Sequence, residues 1–95
     1  NIEINPINEF ALNQNYPNPF NPSTVIEFFL PEDVDNVRLT VYNSLGERVT
    51  ELVNSTLTSG SYKFQWNAQN VSAGIYFYEL RTNNFVSMKK MSLLK

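Results

Sequence analysis

Neither cysteine nor histidine occurs among the 95 residues. Without sulfur or imidazole the chain has no thiol nucleophile, no disulfide, no imidazole acid–base group and no soft ligand set for zinc or copper. No run of about 18 apolar residues exists to span a bilayer as a helix. Charge is sparse, with seven Lys and Arg against nine Asp and Glu and a formal net charge of −2. That balance leaves no basic footprint for a phosphate backbone, so nucleic acid is not an expected partner. A secretory leader is missing too: the chain starts at Asn1 without Met and has no charged-then-apolar stretch. It is therefore expected to be part of a longer protein, with any leader lying upstream. Together these absences predict a non-enzymatic domain that needs no cofactor and no metal.

What remains is an ordinary globular composition, 42% hydrophobic and 14% aromatic, in a length suited to one domain with a modest core. Periodicity predicts strands throughout and no helix. Residues 24–30 (TVIEFFL) place Ile26, Phe28 and Leu30 on one face, and Pro31 ends the run. Residues 37–42 (VRLTVY) alternate, with Val37, Leu39 and Val41 inward. Residues 43–46 (NSLG) form a turn in which Gly46 supplies a positive φ, and residues 47–53 return from it.

A second turn at residues 58–60 leads into 61–67 (SYKFQWN), where Tyr62, Phe64 and Trp66 share a face. Gly74 opens a strand over 74–82 that is apolar on both sides at first, as in a strand covered twice. Asn83 and Asn84 suit a type I′ hairpin turn, and residues 85–94 form the last strand. With a short first strand near 9–13, this makes an all-β, immunoglobulin-like β-sandwich of about seven antiparallel strands, a small barrel being the alternative. Residues 1–14 are expected to hold the end of an upstream linker and that first strand, and 15–95 the sandwich.

Several clusters invite a functional reading. Glu32, Asp33, Asp35 and Asn36 (PEDVDN, 31–36) offer hard oxygen ligands to Ca²⁺, but without a distal bidentate Glu a solvated turn is the simpler reading. Tyr62, Phe64 and Trp66 suit either a sugar-stacking platform or a core face. Glu27, Glu47, Glu51 and Glu79 supply carboxylates, yet nothing in their spacing pairs two of them for hydrolysis. Asn54 (NST) and Asn70 (NVS) match the glycosylation pattern, which recurs by chance in Asn-rich chains.

The two ends are more distinctive. Residues 15–24 read NYPNPFNPST and residues 89–95 read KKMSLLK, with VYNSLGERV and SAGIYFYELR between them. In this order the four pieces resemble the type A C-terminal sorting domain of the type IX secretion system of Bacteroidetes, over about four-fifths of the chain. The resemblance implies an immunoglobulin-like domain at the end of a large exported cargo protein. It implies folding in the periplasm, recognition by the outer-membrane translocon, removal by a surface sortase, and release of the cargo or its attachment to lipopolysaccharide. The final location is then the outer membrane surface or the medium.

Carried over by position, the family's first motif falls on Asn15, Tyr16, Pro17, Asn18, Pro19, Phe20, Asn21 and Pro22. A glycine matches in the NSLG turn at Gly46, and the Gly-x-Tyr element falls on Gly74 and Tyr76. The terminal recognition element falls on Lys89, Lys90, Met91, Leu93, Leu94 and Lys95. Ser92 stands where the family commonly has an apolar residue, and the sortase site is expected near or before residue 10.

Physically, the prolines fix φ and hold the residues before them extended, so residues 15–22 are expected to be a stiff connection into the first full strand. Tyr16 and Phe20 are expected to cap the open end of the sandwich. The last strand, with Lys89, Lys90 and Lys95 around its apolar residues, is expected to be an edge that a receptor or a second copy extends by strand addition. A sorting signal of this kind is expected to need its last residues for export and little for stability. A passive fibronectin-like spacer, similar also to the sandwich domain of flagellar hook-capping proteins, and a carbohydrate-binding module with an exposed Trp66 are the competing readings.

Overall fold

The computed structural model describes residues 9–95. Residues 1–8, read above as linker, lie outside the described residues. Seven strands follow one another with no helix among the described residues: β1 (Ala11–Leu12), β2 (Ser23–Leu30), β3 (Val34–Asn43), β4 (Arg48–Leu57), β5 (Gly60–Asn67), β6 (Gly74–Arg81) and β7 (Val86–Leu93). They form two sheets, β1-β2-β5 and β4-β3-β6-β7, and every strand pair is antiparallel. The chain is a β-sandwich.

The core follows from period-two alternation. Ile26, Phe28 and Leu30 of β2 face Val37, Leu39 and Val41 of β3, Tyr78 and Leu80 of β6, and Met91 and Leu93 of β7, all buried. Each such side chain contributes about 1.5–3 kcal/mol of transfer free energy on burial, before entropy is counted. Aromatic packing thickens the three-stranded side. Phe28 stacks on Tyr62 and Phe64 at 5.5 and 5.7 Å, while Trp66 meets Tyr76 edge-on at 5.4 Å.

Three expectations need correcting. β3 begins at Val34 rather than at residue 37, and β4 runs to Leu57 rather than 53. Val34 is buried and pairs with Leu57, but the register shifts between Val34 and Val37, so inward positions are three apart there and the alternation that marks a strand is broken. The Asn83–Asn84 turn is not type I′, because no residue other than glycine has positive φ among the described residues. Thr82 organises it instead, accepting the Asn84 N–H at 3.2 Å and donating its own N–H to the Phe85 carbonyl at 2.8 Å. Finally, β6 is central in its sheet but covered on one face only. Ile75 is exposed and Phe77 half-buried on the other.

Strand register defines two ends. Ser23 pairs with Asn67, Asn43 with Tyr76 and Gly74 with Leu93 at what is here called the distal end. Leu30 pairs with Gly60, Val34 with Leu57 and Arg81 with Val86 at the other. Phe10 stacks on Phe85 at 5.1 Å at this second end, here called the cargo side after the expectation that a cargo protein lies upstream.

Candidate functional site

The proline-rich loop, residues 15–22, runs alongside the last strand and fastens to it. Its peptide bonds into Pro17, Pro19 and Pro22 are all cis. Phe20 donates its N–H to the Ser92 carbonyl at 2.9 Å, and its own carbonyl accepts the Leu94 N–H at 2.8 Å. The Asn18 side-chain oxygen accepts the Ser92 N–H at 3.0 Å. Just before the loop, the Gln14 amide donates to the Lys90 carbonyl at 2.8 Å, across 76 positions of sequence. β7 is the edge of its sheet, as expected. Over residues 90–94, however, these four hydrogen bonds occupy outward-pointing groups that strand addition would need, so a receptor or second copy adding a strand there must first displace the loop.

The loop is anchored on its other side by a buried polar network. Asn15 donates its amide to the Thr24 hydroxyl at 2.9 Å and to the Pro17 carbonyl at 3.1 Å, and the Thr24 hydroxyl donates to that same carbonyl at 2.8 Å. The Tyr78 hydroxyl donates to the Asn13 carbonyl at 2.6 Å and accepts the Asn15 N–H at 2.8 Å. Burial pushes the Tyr78 phenol up to about 12, partly opposed by the Asn15 hydrogen bond. No buried side-chain nitrogen or oxygen among the described residues lacks a partner, as a polar network in a core requires.

The two loop aromatics diverge. Phe20 is buried and packs on Trp66 at 5.7 Å, capping the distal end as expected. Tyr16 is 80% exposed and caps nothing, although its backbone pairs with Val25.

The remaining predicted residues gather at the same end. Gly46, at φ +83°, closes the β3–β4 turn, where the Asn43 side-chain oxygen accepts the N–H groups of Leu45 and Glu47. Gly74, at φ +146°, opens β6 opposite Leu93, and a side chain there would be strained. The Tyr76 hydroxyl donates to the Ser72 carbonyl at 2.6 Å. Of the tail residues, Met91 and Leu93 are core, while Lys90, Leu94 and Lys95 face solvent, with the Lys95 ammonium on the Gln69 carbonyl at 3.0 Å. The expectation that the tail matters little for stability therefore fails for its buried half.

The clusters elsewhere do not assemble into sites. Among the described residues, no group of three acidic side chains comes together to hold a metal ion. Asp33 is occupied in accepting the Ser59 N–H at 2.9 Å. Trp66 is 6% exposed, so the sugar-platform reading, which needs that indole at the surface, is contradicted. The four carboxylates are held separately: Glu51 by Arg38 and Arg48, Glu79 by Arg81, Glu47 by Asn43 and Glu27 by Asn13. Gln14, Thr24 and Tyr78 were not singled out as loop anchors. The inward parity of Tyr78 on its strand and the place of Thr24 at the end of the NYPNPFNPST stretch are the signals for them, and Gln14 carries none.

The fold is thus a β-sandwich whose first and last sequence signatures are stitched together at one end. The chain matches the family described as the secretion system C-terminal sorting domain over residues 14–93, and it belongs to that family, the sorting domains of type IX secretion. No curated protein matches it.

Proposed function

We propose that the domain is the address that carries an upstream cargo protein across the outer membrane through the type IX machinery. On this reading the cargo enters at Phe10, a surface sortase cuts near or before residue 10, and the domain passes through the periplasm before cargo reaches the cell surface or the medium. The observation that carries it is the set of hydrogen bonds joining Phe20 to Ser92 and Leu94, which makes one folded feature of the two sequence signatures. Lys90, Leu94 and Lys95 are the tail residues presented to the translocon. Met91 and Leu93 act from inside the core by holding the strand that presents them.

The burial of Met91 and Leu93 decides how this is tested, because deleting residues 91–95 would unfold the domain along with removing the signal. A periplasm-directed fluorescent protein is fused upstream of residues 1–95 and expressed in a type IX-competent bacterium, with and without Leu94 and Lys95 and with Lys89 and Lys90 both changed to Ala. The expected result is export of the intact fusion and periplasmic retention of variants that still melt cooperatively. Equal export of all three, or retention of all three, sinks the reading in favour of a passive spacer.

A further inference from the structure

The outer face of the four-stranded sheet is unusual at its distal end. Register lines up Arg48, Tyr42, Phe77 and Lys90 in one row across β4, β3, β6 and β7, which sets two aromatic rings between two cations. Beside that row Ile75 is 39%, Met88 51% and Leu45 82% exposed. Two hollows flank the Asn43–Gly46 turn: one of about 230 Å³ reaches Tyr42, Phe77 and Met88, and the other, about 240 Å³, is bordered by Leu45 and Ile75. Isolated apolar side chains on a surface need no explanation, but a contiguous set with hollows between them marks an interaction surface.

Charge identifies the kind of occupant. Arg48, Lys90 and Lys95 lie at or beside this end against Glu47 and Glu51, Glu79 opposite Met88 is paired with Arg81, and the exposed Glu9, Glu32, Asp33 and Asp35 sit towards the cargo side. Arg48 shares Glu51 with Arg38, and its side chain remains 58% exposed. A chain with net charge −2 thus presents a local positive rim around an apolar patch, and such a rim steers and orients a partner of opposite sign.

We propose that this face, centred on Leu45 and Ile75 between Arg48 and Lys90, docks on a protein surface of the secretion machinery that offers apolar side chains flanked by carboxylates. The inference rests on the sorting reading above. It extends recognition from the tail to a turn and a strand that lie well before the tail in sequence. The domain then meets its receptor distal end first, with the cargo trailing at the opposite end.

The test uses the same fluorescent fusion with Leu45→Glu and, separately, Ile75→Glu. Both residues are exposed and sit on different elements, so both variants are expected to melt close to the intact domain, and unfolding of either one leaves the other readable. Each is expected to lower export about tenfold, the loss of about 1.4 kcal/mol of docking free energy, while Glu32→Lys at the cargo side leaves export within twofold. Folded Leu45→Glu and Ile75→Glu fusions exported like the intact one, with the fusion lacking Leu94 and Lys95 retained, would overturn this docking face and leave the sorting reading standing. Export of that shortened fusion as well would sink both together. A dimer seen by light scattering and dissociated by Leu45→Glu would assign the face to a second copy instead, which also overturns the proposal.

Discussion

The two ends of the sandwich are built by different means. At the distal end, residues 14–20 bond to residues 90–94, and Phe20 packs on Trp66 while its backbone pairs with Leu93. At the cargo side, turns are held by nearer partners, such as the Thr82 hydroxyl on Asn84 and the Asp33 carboxylate on Ser59, with the Phe10–Phe85 stack alongside. Contacts of long sequence span close both ends, the Phe10–Phe85 stack at the cargo side and the hydrogen bonds of residues 14–20 at the distal end, and each forms only once most of the chain is in place. On the proposed function, the address would be assembled from both ends of the sequence at the distal end, and the other end would be left to the linker.

The comparison breaks if the distal stitches prove energetically idle. The largest expected effect is Phe20→Ala, which empties a fully buried ring position and loosens the loop over β7. Large-to-small core changes of this kind cost about 3–5 kcal/mol, and total stabilities are only about 5–15 kcal/mol. Thermal melting followed by circular dichroism is expected to show a drop on the order of 20 °C for a domain of this size. A drop of only a few degrees would mean that the loop is decoration and not closure.

Tyr78 sharpens the same contrast. Tyr78→Phe leaves the Asn15 N–H and the Asn13 carbonyl without their partner, at a cost of about 1–3 kcal/mol. It also changes the pH dependence. The phenol is raised from 10.0 to about 12 in the fold, so between those values the unfolded chain has lost its proton while the folded one keeps it. The unfolded state then binds fewer protons, and stability falls as pH rises through that window. Below pH 10 the hydroxyl's contribution is complete. From pH 10 to 12 the gap in denaturant midpoint between the intact domain and Tyr78→Phe is expected to narrow, and a gap that stays constant would show that the phenol ionises freely in the fold.

Strand positions and the inward faces were legible in the sequence because alternation at period two is a local signal. Ile26, Phe28 and Leu30, and Tyr62, Phe64 and Trp66, point where their spacing places them. The failures sit where the signal is local but the cause is not. Val34 was hidden by the bulge before Val37, and the apparent double cover of β6 was an open face carrying Ile75 and Phe77. The motif residues were named from the sequence, but their meeting was not, since nothing local tells Phe20 to pair with Leu93. Equally, Met91 and Leu93 differ from Leu94 only by strand parity, which turns the first two into the core and the last to solvent.

The smallest effect belongs to the cargo side, and it tests the comparison from below. Asp33→Ala removes the acceptor for the exposed Ser59 N–H, and because water replaces the lost partner the cost is expected to be about 0.5–1.5 kcal/mol. Asp33→Asn keeps a side-chain oxygen in the same place and is expected to recover most of that loss, which separates the hydrogen bond from the charge. Urea titrations of both variants beside Phe20→Ala measure the difference between the ends directly. If Asp33→Ala costs as much as Phe20→Ala, the cargo-side turn is as deeply built into the fold as the distal closure. A linker fused beside it would then disturb the whole sandwich, and the idea of one end left free for cargo would have to go.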